Sequence, residues 1–120
     1  QIIYNGTGLN DTIKTDRTIL ERIIGNLIKN ALEATASGKA VTVTYRNDGH
    51  KKIFSVHNVE AMPEKIQTQI FQRSFSTKGK GRGLGTYGVK FLTETYLKGR
   101  AFFMSNTDTG TTFLVEFEDR

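Results

Sequence analysis

Apolar and polar positions along the chain alternate between two periods, and those periods predict its elements. Gln1 to Tyr4 is a short β-favouring run ended by the turn signal Asn5-Gly6, which predicts an edge strand followed by a polar connection through Gly8 and Asn10. From Asp16 or Thr18, either able to cap a helix, Ile19, Ile23, Leu27 and Ala31 recur every fourth residue, and so do Leu20, Ile24, Ile28 and Leu32. Thr18 and Glu21 have capping-box spacing. The two stripes make one broad apolar face, so this helix must lie on a sheet or another helix. Ser37-Gly38 stops it.

The period then shortens to two. Val41 to Tyr45 and Ile53 to His57 alternate on either side of Asn47-Asp48-Gly49, which predicts an antiparallel hairpin. Met62-Pro63-Glu64 opens a short helix with Ile66, Ile70 and Phe71 as its buried positions. After a glycine-rich stretch, an apolar pattern beginning near Thr86 places Val89, Leu92, Thr93, Tyr96 and Leu97 on one face of a second long helix, closed by Gly99 in the left-handed C′ role. Ala101 to Met104 and Thr112 to Phe117 are strands around the turn Asn106 to Gly110. The order β, α, β, β, short α, glycine loop, α, β, β argues an α+β two-layer sandwich, with helices on one face of a mixed, mostly antiparallel sheet.

Composition changes this picture in a few ways. At 120 residues the chain is one domain, 1–120. Gln1 is no natural start, which suggests a fragment of a larger protein. No apolar run nears the roughly 18 residues a membrane span needs. The absence of cysteine removes disulfides and thiolate metal sites and suits a reducing, cytoplasmic setting. The net charge is +5, and it is localised: Arg73, Lys78, Lys80, Arg82 and Lys90 fall between Phe71 and Lys90 with no acid among them. Five of the 12 glycines lie in the same stretch. Glycines let successive backbone N–H groups converge on one spot, and adjacent cations and a helix N-terminus make that spot attractive to phosphate. Aromatic residues do not interleave with these cations as a stacking platform requires, which argues against nucleic acid as a partner.

Gly83, Gly85 and Gly88 match the dinucleotide fingerprint in spacing, but the polar segment before them is no strand of a parallel βαβ unit. No P-loop is present, and the two histidines, His50 and His57, have no partner spaced for zinc or triad chemistry. On the first long helix, Asn26, Asn30 and Glu33 form a polar stripe at i, i+4 and i+7. It reads either as a solvated flank or as an edge facing a ligand or hydrated cation, and its amide oxygens suit Mg²⁺.

Together these motifs resemble a known family. Asn26 to Ala34 looks like the N box of the histidine-kinase, gyrase and Hsp90 type ATPase superfamily. Phe71 to Lys78, with Phe75 and Thr77, resembles the F box of bacterial sensor histidine kinases, and Gly81-Arg82-Gly83-Leu84-Gly85 is similar to their G2 box. Gly110-Thr111-Thr112-Phe113 looks like the closing strand motif. The resemblance implies the Bergerat fold, with ATP and Mg²⁺ held between the long helix, the hairpin end and a lid.

It further implies that Asn30 is the Mg²⁺ ligand and that Asn26 faces the phosphates. Hydrolysing members carry a Glu general base at the position of Asn26, work an amide cannot do, so phosphoryl transfer is favoured over hydrolysis. Lys78, Arg82 and the backbone of Gly81 to Gly85 would neutralise phosphate charge, and Thr111 or Thr112 would lie near the adenine. The family's G1 box, Asp-x-Gly-x-Gly, is degenerate here. Aligned on Met62-Pro63, His57 takes the Asp position with Asn58 beside it, and Val59 and Ala61 take the glycines. Either His57 or Asn58 then accepts from the adenine amino group.

The implied partners are a helical dimerisation domain bearing the phosphoacceptor histidine, and a response regulator; no direct membrane contact by this domain is implied. Two other readings are a nucleotide-insensitive interaction module of the same fold and an anti-sigma-factor type serine kinase. The lid is short, and across residues 78–82 it is expected to be the most mobile part of the chain.

Overall fold

The computed structural model describes residues 2–6, 16–35, 38–49, 51–70 and 85–118. Strand β1 (Ile2–Gly6) is followed by helix α1 (Arg17–Ala34), strands β2 (Val41–Asp48) and β3 (Lys51–Asn58), and the single-turn helix α2 (Glu64–Gln67). Helix α3 (Gly85–Leu92) runs into a π-helical turn (Thr93–Leu97), and β4 (Arg100–Asn106) and β5 (Gly110–Glu118) close the fold.

The five strands form one sheet in the order β1-β2-β3-β5-β4. β1 is an edge strand parallel to β2, with α1 as the crossover that a parallel pair requires, and every other pairing is antiparallel. The strand runs through the turn signal at Asn5-Gly6, because pairing with Thr44 and Tyr45 offsets the weak local preference.

Alternation along the strands puts Val41 and Val43, Phe54, Val56 and Asn58, and Thr111, Phe113, Val115 and Phe117 on one face. Ala101, Phe103 and Ser105 of β4 extend it. This face meets α1, α3 and the π turn, and the core lies between the layers: Ile23, Leu27 and Ala31 from α1, Val89, Leu92 and Leu97 from the second helical segment, and Val41, Val43, Val56, Val115 and Phe117 from the sheet. The α+β sandwich with helices on one face follows.

Of the two stripes on α1, the one led by Ile23 and Leu27 is sealed, whereas Leu20, Ile24 and Ile28 flank it and Leu32 is 39% exposed. Asp16 caps the helix, its carboxylate accepting from the Ile19 N–H at 3.1 Å, so Thr18 falls inside the first turn. The helix ends at Thr35, ahead of the Gly38 stop, with the Thr35 hydroxyl donating to the Ala31 carbonyl.

Three local expectations are corrected. Ile66 and Ile70 are only half-buried, since a single turn of helix has no full face to bury, and Phe71 lies outside the described residues. Tyr96 is 44% exposed rather than buried. The wider π turn advances the chain less per residue than an α-helix, which rotates Tyr96 off the core stripe and onto Phe91, their rings 6.4 Å apart edge to face. Lys98, not Gly99, takes the left-handed conformation (φ 57°), and Gly99 follows it, donating its N–H to the Thr93 carbonyl at 3.0 Å. Gly99 is needed for space: a Cβ there would stand 2.0 Å from the Glu116 carbonyl oxygen.

Candidate functional site

Asn26 and Asn30 sit one turn apart on α1, half-buried at the margin of the core face, while Glu33 is exposed. α1 packs against α3, whose N-terminus is Gly85, the last residue of the glycine run. The hydroxyl of Thr86, buried in the first turn of α3, donates to the carbonyl of Ile70. The two ends of the basic stretch are thus tied together beside α1. Phe75, Thr77, Lys78, Gly81, Arg82, Gly83 and Leu84 lie outside the described residues, as does the expectation about mobility at 78–82.

At the far end of the hairpin, a directed hydrogen-bond chain fixes the segment after β3. The Met62 N–H donates to Ser105 Oγ at 2.7 Å, and Thr111 Oγ1 donates to the Glu60 carbonyl at 2.8 Å. A carbonyl only accepts, so the Thr111 proton is committed to Glu60. Ser105 Oγ, 2.8 Å from Thr111 Oγ1, must therefore donate to it. The Gln67 side chain donates to the Met62 carbonyl at 2.8 Å, and Lys39 pairs with Glu60 at 3.3 Å. Gly110 (φ 86°) lets β5 pass close to this segment, since a Cβ there would lie 2.2 Å from the Asn58 carbonyl oxygen and 2.8 Å from Val59 Cα. Ala61, Met62, Pro63 and Gln67 line an open groove of about 430 Å³ with Asn106 and Thr107.

Register separates residues that adjoin in sequence. Asn58 pairs with Val41 and Thr111, lies on the helix-facing side of the sheet and is 5% exposed. His57 pairs with Thr42 and Thr112 on the opposite face, where its Nε2 meets the Thr109 carbonyl oxygen at the β4–β5 turn. Thr111 is buried beside Asn58, and Thr112 falls on the outer face with His57. Of the residues proposed for the base, the structure thus brings Asn58 and Thr111 together and leaves His57 and Thr112 behind the sheet. An alignment anchored on Met62-Pro63 counts residues through a loop. Strand alternation counts from Val56 and puts Asn58 on the helix-facing side.

Ser105 went unnoticed in the sequence. Its signal was its place two residues beyond Phe103 and four beyond Ala101, on the face that closes over the helices.

Among the described residues, no group of three or more His, Cys, Asp or Glu side chains could hold a metal ion. The donor set on α1 is instead a pair of neutral amides, which fits Mg²⁺ carried largely by phosphates and water, with one protein oxygen completing its shell. No helix among the described residues is long and apolar enough to cross a membrane.

Comparison with known proteins identifies the family and agrees with the fold. The chain is 32% identical over 106 residues to sporulation kinase A of Bacillus subtilis, an alignment covering 88% of this chain and 17% of that protein. It is 43% identical over 72 residues to the sensor protein CitS of the same organism, covering 57% of this chain and 13% of that one. The chain therefore spans about a sixth of the length of such relatives. Among solved structures, the nucleotide-free catalytic domain of the histidine kinase ThkA superposes with a TM-score of 0.87 at 27% identity, covering 99% of this chain and 78% of that one. Full-length ShkA in complex with AMPPNP gives 0.79 at 25% identity, covering 100% of this chain and 26% of that one. Residues 15–120 match the family described as histidine kinase-, DNA gyrase B- and HSP90-like ATPase. The chain belongs to that family, as the catalytic ATP-binding domain of a sensor histidine kinase.

Proposed function

We propose that this domain binds Mg-ATP and supplies its γ-phosphoryl group to a histidine on a separate helical dimerisation domain, from which a response regulator is phosphorylated. The observation that carries the reading is the pair Asn26 and Asn30, half-buried one turn apart on α1, the helix that packs against α3. Asn30 Oδ1 is the protein oxygen for the metal, and Asn26 orients the phosphates. Mg²⁺ supplies charge neutralisation of the phosphate oxygens when bound.

An amide at position 26 has no basic site with which to take a proton from water. Hydrolysis therefore lacks its catalyst, and the γ-phosphoryl is preserved for an acceptor. By the F-box and G2-box resemblance, Phe75, Thr77, Lys78, Arg82 and the backbone N–H groups of 81–85 are the further groups proposed to hold the nucleotide, with Lys78 acting on the transferring group. Asn58, Met62 and Thr111 bound the base. His57 lies on a strand and not on a helix, where an acceptor would be expected, and His50 falls outside the described residues; on this reading the acceptor belongs to the separate helical domain, and the chain by itself binds nucleotide and transfers little.

ThkA has been crystallised with the response regulator TrrA, which supports a regulator as the downstream partner here. Since ATP and regulators are cytoplasmic, we place the domain there.

Calorimetric titration with ATP and Mg²⁺ tests this. The wild-type chain should give a saturable signal, and Asn30→Ala should weaken it by about tenfold, or ~1.4 kcal/mol. A flat titration at millimolar nucleotide would leave an interaction module of this fold instead.

A further inference from the structure

We propose that Asn58 reads the nucleotide base, and that because it is an amide the domain accepts guanine nucleotides nearly as well as adenine nucleotides. The inference rests on the nucleotide-binding reading above and specifies the ligand of that site.

Asn58 is 95% buried by its 5% exposure, yet no hydrogen bond among the described residues engages its carboxamide. Buried polar side chains are ordinarily satisfied, and among the described residues no fully sealed side-chain nitrogen or oxygen lacks a partner. The Asn58 amide atoms are therefore not fully sealed, and they stand on the helix-facing side of the sheet without a partner among the described residues. The backbone around it is held firmly: β3 pairs on both sides at this position, and Gly110 abuts the Asn58 carbonyl.

Its neighbour Thr111 adds a constraint. With its proton given to Glu60 and one lone pair taken by Ser105, Thr111 Oγ1 can only accept a further bond. Discrimination between purines is left to Asn58. A carboxylate at this position would only accept, so it would favour the adenine amino group and oppose guanine O6, lone pair against lone pair. The carboxamide offers Oδ1 to an amino group or, turned over, Nδ2–H to a carbonyl. The cost that enforces selection is thereby removed.

The test is titration of the 120-residue chain with Mg-ATP and Mg-GTP, wild type beside Asn58→Asp and Asn58→Ala, each checked for folding by circular dichroism. Wild type should bind the two nucleotides within about tenfold of each other, whereas Asn58→Asp should separate them by roughly a hundredfold or more in favour of ATP. Asn58→Ala should weaken both together. A wild-type preference for ATP above about a hundredfold overturns the proposal whether or not the variants fold, as does an unchanged ratio in folded Asn58→Asp. Binding of neither nucleotide by the wild type instead overturns the nucleotide-binding reading itself.

Discussion

Along β3 and β5, the residues turned toward the helices end in Asn58 and Thr111, while their sequence neighbours His57 and Thr112 lie on the outer face. The inner face is covered by α1, α3 and the π turn, and at its far end Ser105 and Thr111 belong to a chain in which each proton has one destination. The outer face carries Met104 at 58% exposure, the Arg100 guanidinium 4.9 Å from the centre of the Phe102 ring, and Glu116 shared by Lys51 and Arg100. The two cations are half or more exposed, so water competes for their charge and the pairs contribute little, although Glu116 between them is only 14% exposed. Similar side chains thus meet different physics one residue apart. Their place on the pleat decides which of them face the helices.

Gly110→Ala should break the comparison most severely, because it attacks the junction where β5 approaches Asn58. Its cost combines a left-handed backbone with a Cβ 2.2 Å from a carbonyl oxygen. We expect a loss of about 4 kcal/mol or more in denaturant unfolding, enough to prevent folding in a marginally stable domain. Gly49→Ala shares the positive φ (71°) but has nothing within 4 Å of the added Cβ, and should cost only about 1 kcal/mol. Equal effects would mean that strain and not contact sets the first value.

The next contrast uses one residue type. Leu27, sealed between α1 and the sheet, should lose about 3 kcal/mol on substitution by alanine, through lost burial and the cavity left behind. Leu114 lies on the outer face and is half-buried, so Leu114→Ala should cost about 1 kcal/mol. A comparable loss at Leu114 would show that a partner covers the outer face in solution.

How much of this was legible beforehand follows from how local each signal is. The α1 stripe, the hairpin and the last two strands depend on periodicity, so their type was readable from Ile23, Val43 or Val115 without knowing what packs on them. The exposure of Tyr96 is not legible, because a π turn leaves no mark in an apolar pattern that still looks helical for one more turn. The left-handed position was assigned to Gly99 because glycine takes that conformation most readily, but Gly99 is reserved for its approach to Glu116, and Lys98 bears the strain. In the proposed site, placing Asn26 and Asn30 on one stripe needs only the helical repeat, whereas telling which of His57 and Asn58 faces the helices needs the register of β3 against two other strands. A sequence does not carry that register.

Thr111→Val removes the hydroxyl from the middle of the polar chain, leaving the Glu60 carbonyl without its donor and Ser105 without its acceptor. The expected loss is roughly 1–3 kcal/mol, with weaker nucleotide binding because the segment 60–62 loosens. Thr112→Val, one residue on, should stay within about 0.5 kcal/mol of wild type.

The smallest effect is also the sharpest test of the two faces. His57 bonds only to the Thr109 carbonyl among the described residues, on the side of the sheet away from the helices. His57→Ala removes that tie between the end of β3 and the β4–β5 turn, at about 1 kcal/mol. It touches neither Asn58 nor the hydrogen-bond chain below it. Unfolding should therefore register a slight loss, while titration with Mg-ATP returns the wild-type affinity. If affinity instead fell tenfold with stability nearly intact, the imidazole would have to reach the base, and β3 would need a one-residue shift in register. That shift would move Val56 and Phe54 out of the core, a cost visible as a far larger loss of stability than one hydrogen bond can cause.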